Sequence, residues 1–180
     1  MAMRQEFALR EPVMESGRCA TSVSAVVYVV DDRIKQGTRP NKPGARAECL
    51  LTDGGLKVLD SRVISEADEE LRQACQEAID QGVDLLLTVG ATGLRRTDIA
   101  PDVSRMFIHR EIPHLTTEIL LRGRQNTAKA ALSRATVGVH YAPERATLIV
   151  NCPSSSGGIE DCLDVIIPLL PSIFEQLKEA

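Results

Sequence analysis

Residues 83–102 read VDLLLTVGATGLRRTDIAPD, and this stretch decides the fold. The run from Val83 to Val89 is apolar on nearly every side chain. Such a run suits a parallel strand covered on both faces by helices. It ends directly in Gly90-Ala91-Thr92-Gly93. Two glycines within four residues let backbone N–H groups turn toward a ligand, and concavities of that kind bind anions, phosphate commonly. Arg95 and Arg96 are suited to neutralising phosphates, and Asp98 or Asp102 to holding Mg²⁺ between phosphate oxygens. The same residues also read as a glycine turn followed by a solvated charged segment. The loop is neither G-x-G-x-x-G nor a Walker A loop, since no G-K-[ST] follows.

Working outward, SAVVYVV at 24–30 is a second run apolar on both faces. A polar loop is expected from Asp31 to Gly44, then a helix over about 45–53 closed by Gly54 and Gly55. LKVLDSRVI reads as a strand. SEADEELRQACQEAIDQG reads as a helix, with Ser65 and Asp68 as a capping box and Leu71, Cys75, Ala78 and Ile79 as its apolar stripe. Glu66, Asp68, Glu69 and Glu70 fall in its first turn, where the helix dipole alone accounts for acids. Two helices broken by Pro113 are expected between Pro101 and Arg124. Strands follow at 135–141 and 146–152. The last helix is expected to be interrupted at Pro168 and Pro171. Alternating strands and helices predict a three-layer α/β/α domain with a mostly parallel central sheet over residues 23–180. Residues 1–22 read as a mobile arm of mixed charge.

The chain has 180 residues, with 21 Lys+Arg against 25 Asp+Glu and a formal net charge of −4. Aromatics are only 3%: Phe7, Tyr28, Phe107, Tyr141 and Phe174. A single-strand nucleic-acid binder needs stacking platforms and a basic groove, so no nucleic-acid partner is expected. No apolar run approaches the ~20 residues of a membrane span, and the charged start lacks a signal-peptide core. The expected location is cytoplasmic. The cysteines at 19, 49, 75, 152 and 162 show no C-x-x-C spacing, which argues against a structural zinc site or a disulfide framework. Cys49, Cys75 and Cys162 are expected in the core.

In an open α/β sheet, ligands bind beyond the carboxyl ends of the strands. That rule selects the loops 31–44, 90–102 and 152–158. In the last of these, Ser154, Ser155 and Ser156 offer hydroxyls beside free helix N–H groups, though simple N-capping explains them as well. Asp31 and Asp32, with Arg33, form an acid pair at a strand end; it can bind a metal or polar ring nitrogens, or be a solvated turn.

Taken in order, VVDDRIKQGTRPNKPG, LLLTVGATGLRRTDIAPD, REIPHL, ALSRATVGV and LIVNCPSSSGGIEDCLDVIIPLLP resemble the molybdopterin adenylyltransferase (Mog/MoaB) family of molybdenum cofactor biosynthesis. The resemblance spans about residues 24–178. It implies a molybdopterin-binding fold, a homotrimer or a multiple of it, and transfer of AMP from ATP to molybdopterin with Mg²⁺ and release of pyrophosphate. It implies that Asp98 is needed for the chemistry, with Glu66 beside it as a second metal carboxylate. Gly90, Ala91, Thr92 and Gly93, with Arg95 and Arg96, correspond to the nucleotide-phosphate loop. Asp32, Ser133, Arg134, Pro153, Ser154, Ser155 and Ser156 correspond to the pterin side.

The chain departs from the family pattern at several positions. Ala91 stands where glycine is usual, Glu66 where aspartate is usual, and Asp31-Asp32 where Ser-Asp is usual. The family's P-G-x-P-K loop reads Pro153-Ser154-Ser155-Ser156-Gly157, without a lysine. A binding protein of the MoaB type, holding pterin or nucleotide without turnover, is therefore the alternative. A dinucleotide oxidoreductase is disfavoured, because no G-x-G-x-x-G follows any predicted strand.

Overall fold

The structure is a computed structural model and describes residues 23–178. The arm expected over residues 1–22 lies outside them. Six strands form one sheet: β1 (Ser24–Val30), β2 (Lys57–Ile64), β3 (Leu85–Val89), β4 (Arg110–Glu111), β5 (Val137–Ala142) and β6 (Arg145–Cys152), in the order β2-β1-β3-β6-β5-β4. The pairs β1–β2, β1–β3 and β3–β6 are parallel; β5 alone runs against the rest. Six helices accompany them: α1 (Asp32–Lys35), α2 (Lys42–Asp53), α3 (Asp68–Asp80), α4 (Ala100–Phe107), α5 (Pro113–Asn126) and α6 (Ser156–Lys178). A 3₁₀ segment, Ala128–Leu132, follows α5.

The central strands sort their side chains by parity, as a pleated strand must. Ala25, Val27, Val29, Leu85, Leu87, Val89, Leu148 and Val150 face one core, closed by Leu51 of α2, Ile119 of α5 and Ile159, Leu163 and Ile166 of α6. Val26, Tyr28, Val30, Leu86 and Ile149 face the other, closed by Leu71, Cys75 and Ala78 of α3 and Val103 and Phe107 of α4. Both faces are covered, which is why β1 and β3 carry no polar stripe. The edge strand β2 alternates exposed and half-buried residues. The helix after β1 lies on one face of the sheet and the helix after β3 on the other, so the winding direction reverses between these neighbouring strands. An α/β sheet opens a ligand crevice at that switch point.

Several local expectations are corrected. The loop expected over 31–44 contains α1, with the Asp31 side chain as N-cap, and the first residues of α2, capped by Asn41, whose Oδ1 accepts from Gly44 N–H at 3.0 Å. Asp and Asn side chains made those caps from inside what reads as polar coil. Helix α3 starts at Asp68 with Ala67 at its N-cap and no side-chain cap. Ser65 is not part of a capping box; its hydroxyl donates to Glu70. Glu66 therefore precedes the helix. Helix α6 runs unbroken through Pro168 and Pro171. The prolines are three residues apart, so their missing donors fall within one turn, and Val165, Ile166 and Leu170 stay buried around them. Cys49 is exposed, not in the core. None of the described helices is long and apolar enough to cross a membrane.

One polar cluster sits inside the apolar sheet. Asn151 is fully buried; its Nδ2 donates to Thr88 Oγ1 at 2.8 Å and Ser104 Oγ at 2.7 Å, and its Oδ1 accepts from Thr136 N–H at 3.1 Å. Every partner is satisfied, so the cluster ties β3, α4 and the start of β5 to β6 without the cost of an orphaned group. Asn151→Ala leaves the Thr136 N–H without its acceptor. It is expected to cost about 1–3 kcal/mol in urea unfolding; a loss below about 0.5 kcal/mol would show that the cluster does not hold these elements together.

Candidate active site

Gly90 is the first residue past β3. Its φ is +102°, and a Cβ there would stand 2.8 Å from the Val30 carbonyl and 3.6 Å from Ser154 Cβ. Only glycine fits so close an approach. The Gly90 N–H donates to the Cys152 carbonyl at 2.8 Å. One residue thus brings together the ends of β1, β3 and β6, and with them the 90–98 loop and the serine loop. Ala91 follows at φ 49°, in the left-handed region that costs a non-glycine residue roughly 1–2 kcal/mol. Its methyl is buried in the core under the loop.

Asp98 closes the loop back on itself. Its Oδ2 accepts from the Arg95 N–H at 2.7 Å, and its Oδ1 from the Arg95 guanidinium at 2.8 Å. A Cβ on Gly93 would meet Asp98 Oδ2 at 2.7 Å, so the second glycine of the loop makes room for this carboxylate. Burial pushes the Asp98 carboxyl up, but the Arg95 hydrogen bonds and the charges of Arg95 and Arg134 outweigh it and hold it below the usual carboxylate range. The same Arg95 guanidinium lies 3.7 Å from Glu66 Oε1. Glu66 is kept there by its backbone, whose N–H donates to Asp32 Oδ1 at 2.9 Å. Asp32 thus lies beside Glu66 at the ends of β1 and β2. Asp31 is buried as the α1 cap and paired with Arg33 and Arg39 at 3.2 and 3.1 Å. Burial raises its carboxyl, while Arg33 and the α1 N–H groups pull it below its ordinary value. Arg96 is exposed, with no ion pair among the described residues.

Arg134 braces this loop from the other side. Its N–H donates to the Thr92 carbonyl at 2.7 Å and its Nε to the Gly93 carbonyl at 2.8 Å, and its guanidinium also reaches the Asp98 carbonyl. A bidentate pair with Asp102, both bonds 2.9 Å, fixes the guanidinium plane. Four of its five guanidinium N–H groups are spent on loop carbonyls and on Asp102 of α4, which makes it a positioning residue.

A cleft of about 470 Å³ opens beside the loop. Thr92, Gly93, Ser133, Pro153 and Ser155 line it, together with Ile119, Leu120 and Asn126 of α5, Lys129 beyond it, and Asp161 of α6. Ser155 caps α6 through the Gly158 N–H at 3.2 Å. Ser156 is directed to Glu160 on its own helix, and Ser154 faces Gly90. Cys152 is buried; burial raises its thiol well above the ordinary value and the Cys162 thiol beside it adds to that. Held as a thiol, it is no nucleophile.

The sequence pattern did not single out α5, Lys129, Asn151 or Asp161 for this cleft. Asn151 alone carried a signal, as an amide closing an apolar strand.

Residues 26–172 match the family model described as "Probable molybdopterin binding domain". The chain belongs to that family. It is similar to a molybdenum cofactor biosynthesis bifunctional protein from Chlorobaculum tepidum, 29% identical over 84% of this chain and 47% of the relative. It thus spans about half the length of that relative. A molybdopterin adenylyltransferase from Helicobacter pylori is 25% identical over 81% of this chain and 82% of its own. The solved structure of a molybdenum cofactor biosynthesis protein from Corynebacterium diphtheriae superposes with a TM-score of 0.80 at 37% identity, covering 87% of this chain and 99% of that one.

Asp31 and Asp98 both titrate below unfolded carboxylates, whose ordinary pKa is about 3.9. Their contribution to stability is present above that value and is lost as pH falls through their lower folded values. Urea unfolding followed from pH 5 down to pH 2 is expected to show this loss. Asp98→Asn removes one of the lowered titrations, those of Asp31, Asp102, Glu70 and Glu77 remaining, and makes the profile less steep. A variant that loses stability as steeply as the wild type would refute the Arg95–Asp98 bonding described here.

Proposed function

We propose that the protein transfers AMP from ATP to molybdopterin and releases pyrophosphate. A terminal phosphate oxygen of molybdopterin attacks the α-phosphorus of ATP, and the bond from that phosphorus to the α,β-bridging oxygen breaks. The observation that carries the reading is the Asp98 carboxylate seated against Gly93 and linked through Arg95 to Glu66, at the strand switch point and beside the cleft. The adenylyltransferase relative, aligned over 82% of its length, favours turnover over binding alone.

The chain's groups have separable tasks. The N–H groups of residues 91–93, with Arg95 and Arg96, neutralise the phosphates of ATP; the Gly90 N–H is held by the Cys152 carbonyl. The cleft lined by Ser133, Pro153 and Ser155 holds the pterin, and Arg134 keeps the loop in register. Such a reaction proceeds by positioning and charge neutralisation, with no covalent intermediate. Mg²⁺ commonly uses one or two carboxylates together with phosphate oxygens. Asp98 and Glu66 fit that donor set, although no group of three or more potential metal ligands occurs among the described residues. When bound, the ion would neutralise charge on the phosphates. Arg95 is 63% exposed at its side chain, so its guanidinium is free to leave the carboxylates for them. A cytoplasmic homotrimer, or a multiple of it, completes the proposal.

Incubation with ATP, Mg²⁺ and molybdopterin is expected to release pyrophosphate. Asp98→Asn is expected to lower the rate by about 10²-fold or more, the scale on which removal of one electrostatic group acts. Absence of pyrophosphate, or an unchanged rate in the variant, overturns the reading.

A further inference from the structure

The cleft lined by α5, the 3₁₀ segment and the serine loop carries one positive side chain, Lys129. Lys129 has no ion-pair partner among the described residues. Among the described residues no arginine lines the cleft: Arg134 is bonded to Asp102 and the loop carbonyls, Arg122 to Asp164 at 3.0 Å, and Arg95 and Arg96 lie on the glycine loop outside the lining. The serine loop from Pro153 to Gly158 contains no charged residue. The backbone of Lys129 is fixed, because its N–H donates to the Thr127 hydroxyl at 3.3 Å.

The other charge in the lining is the Asp161 carboxylate, which accepts from Asn126 Nδ2 at 3.2 and 3.3 Å. A carboxylate is a poor neighbour for an anion and a good acceptor for amino and ring N–H groups. The lining thus offers one carboxylate that can accept from ring and amino N–H groups, Asp161, and one cation that can meet an anion, Lys129. An ammonium on a flexible stem is a compact point charge suited to a phosphate.

We infer that Lys129 binds the phosphate monoester end of the heterocyclic ligand held in this cleft and gives the cleft its preference for phosphorylated over dephosphorylated ligand. The inference rests on the adenylyl-transfer reading for the ligand's identity and adds the residue that selects its charged end.

Equilibrium binding of molybdopterin and of its dephosphorylated form to the full chain tests it. The wild type is expected to prefer the phosphorylated form at least tenfold, and less so as salt rises. Lys129→Gln is expected to bring the two forms within twofold of each other, with ATP affinity and thermal midpoint unchanged. Lys129→Arg is expected to keep the preference, since the charge remains. A wild type that binds both forms equally or binds neither, or a Lys129→Gln variant that keeps the preference, overturns the inference. If the wild type releases pyrophosphate while Lys129→Gln retains the preference, this inference alone fails. If Lys129 sets the preference but no pyrophosphate is released, adenylyl transfer alone fails.

Discussion

The molecule depends on the close passage of Gly90 past the Val30 carbonyl. No side chain fits in that gap, and the Gly90 N–H is already bound to the Cys152 carbonyl. The ends of β1, β3 and β6 are therefore locked at one level. Everything beyond them opens on the same edge of the sheet: the acid pair after β1, the glycine loop after β3 and the serine loop after β6. A bulkier residue at 90 would separate the glycine loop from the serine loop before any chemistry was affected. The burial that makes the strands apolar on both faces sets the same constraint, because only a sheet covered by helices on each side ends in crevices of this kind.

Charge in the site is arranged so that the carboxylates of Asp31, Asp98 and Glu66 each face a guanidinium. Asp31 is held by Arg33 and Arg39, and Asp98 and Glu66 share Arg95. In the proposed reaction a polyphosphate competes for Arg95, and a carboxylate pair left without its guanidinium needs a replacement cation. A divalent ion arriving with the phosphates supplies one. While Arg95 is bonded to it, the Asp98 carboxyl is held below the usual carboxylate range. Arg134 sits outside the exchange, since its donors hold backbone carbonyls and Asp102, and this lets the loop keep its shape while Arg95 moves.

Much of the fold was legible because its causes are local. The runs 24–30 and 83–89 announce buried parallel strands, and the glycines at 90 and 93 announce a tight loop. Where the sequence reading failed, a nonlocal cause decided. Packing on both sides of Pro168 and Pro171 carries α6 through two prolines that would stop an unsupported helix. Glu66 reads as a helix acid, but the Asp32 carboxylate takes its N–H and sets it at the end of β2. The resemblance sets Arg134 on the pterin side, and no local signal shows its partners within the chain, which lie 32–41 residues away on the glycine loop and α4. The cleft wall from α5 and residues 126–133 carries no motif, and only the folding of α5 against α6 brings it to the serine loop.

The scarcity of aromatics then takes on a structural meaning. The cleft is lined without a single aromatic ring. Tyr28, the most deeply buried aromatic among the described residues, is spent in the core, where its hydroxyl accepts from Arg62 at 2.8 Å. A flat heterocycle in this cleft cannot be sandwiched by stacking. Its faces must lie on Ile119, Leu120, Pro153 and the backbone of Gly93, which gain from area burial but discriminate little between one ring and another. Selectivity must then reside in the few polar groups of the lining. The amide of Asn151 is already fully bonded beneath the floor, and Ser155 is occupied as a helix cap. The charged groups left to choose a ligand are Asp161 for ring donors and Lys129 for a charged tail, beside the hydroxyls of Thr92, Thr116 and Ser133, so the absence of stacking is what gives the polar side chains of the lining their weight.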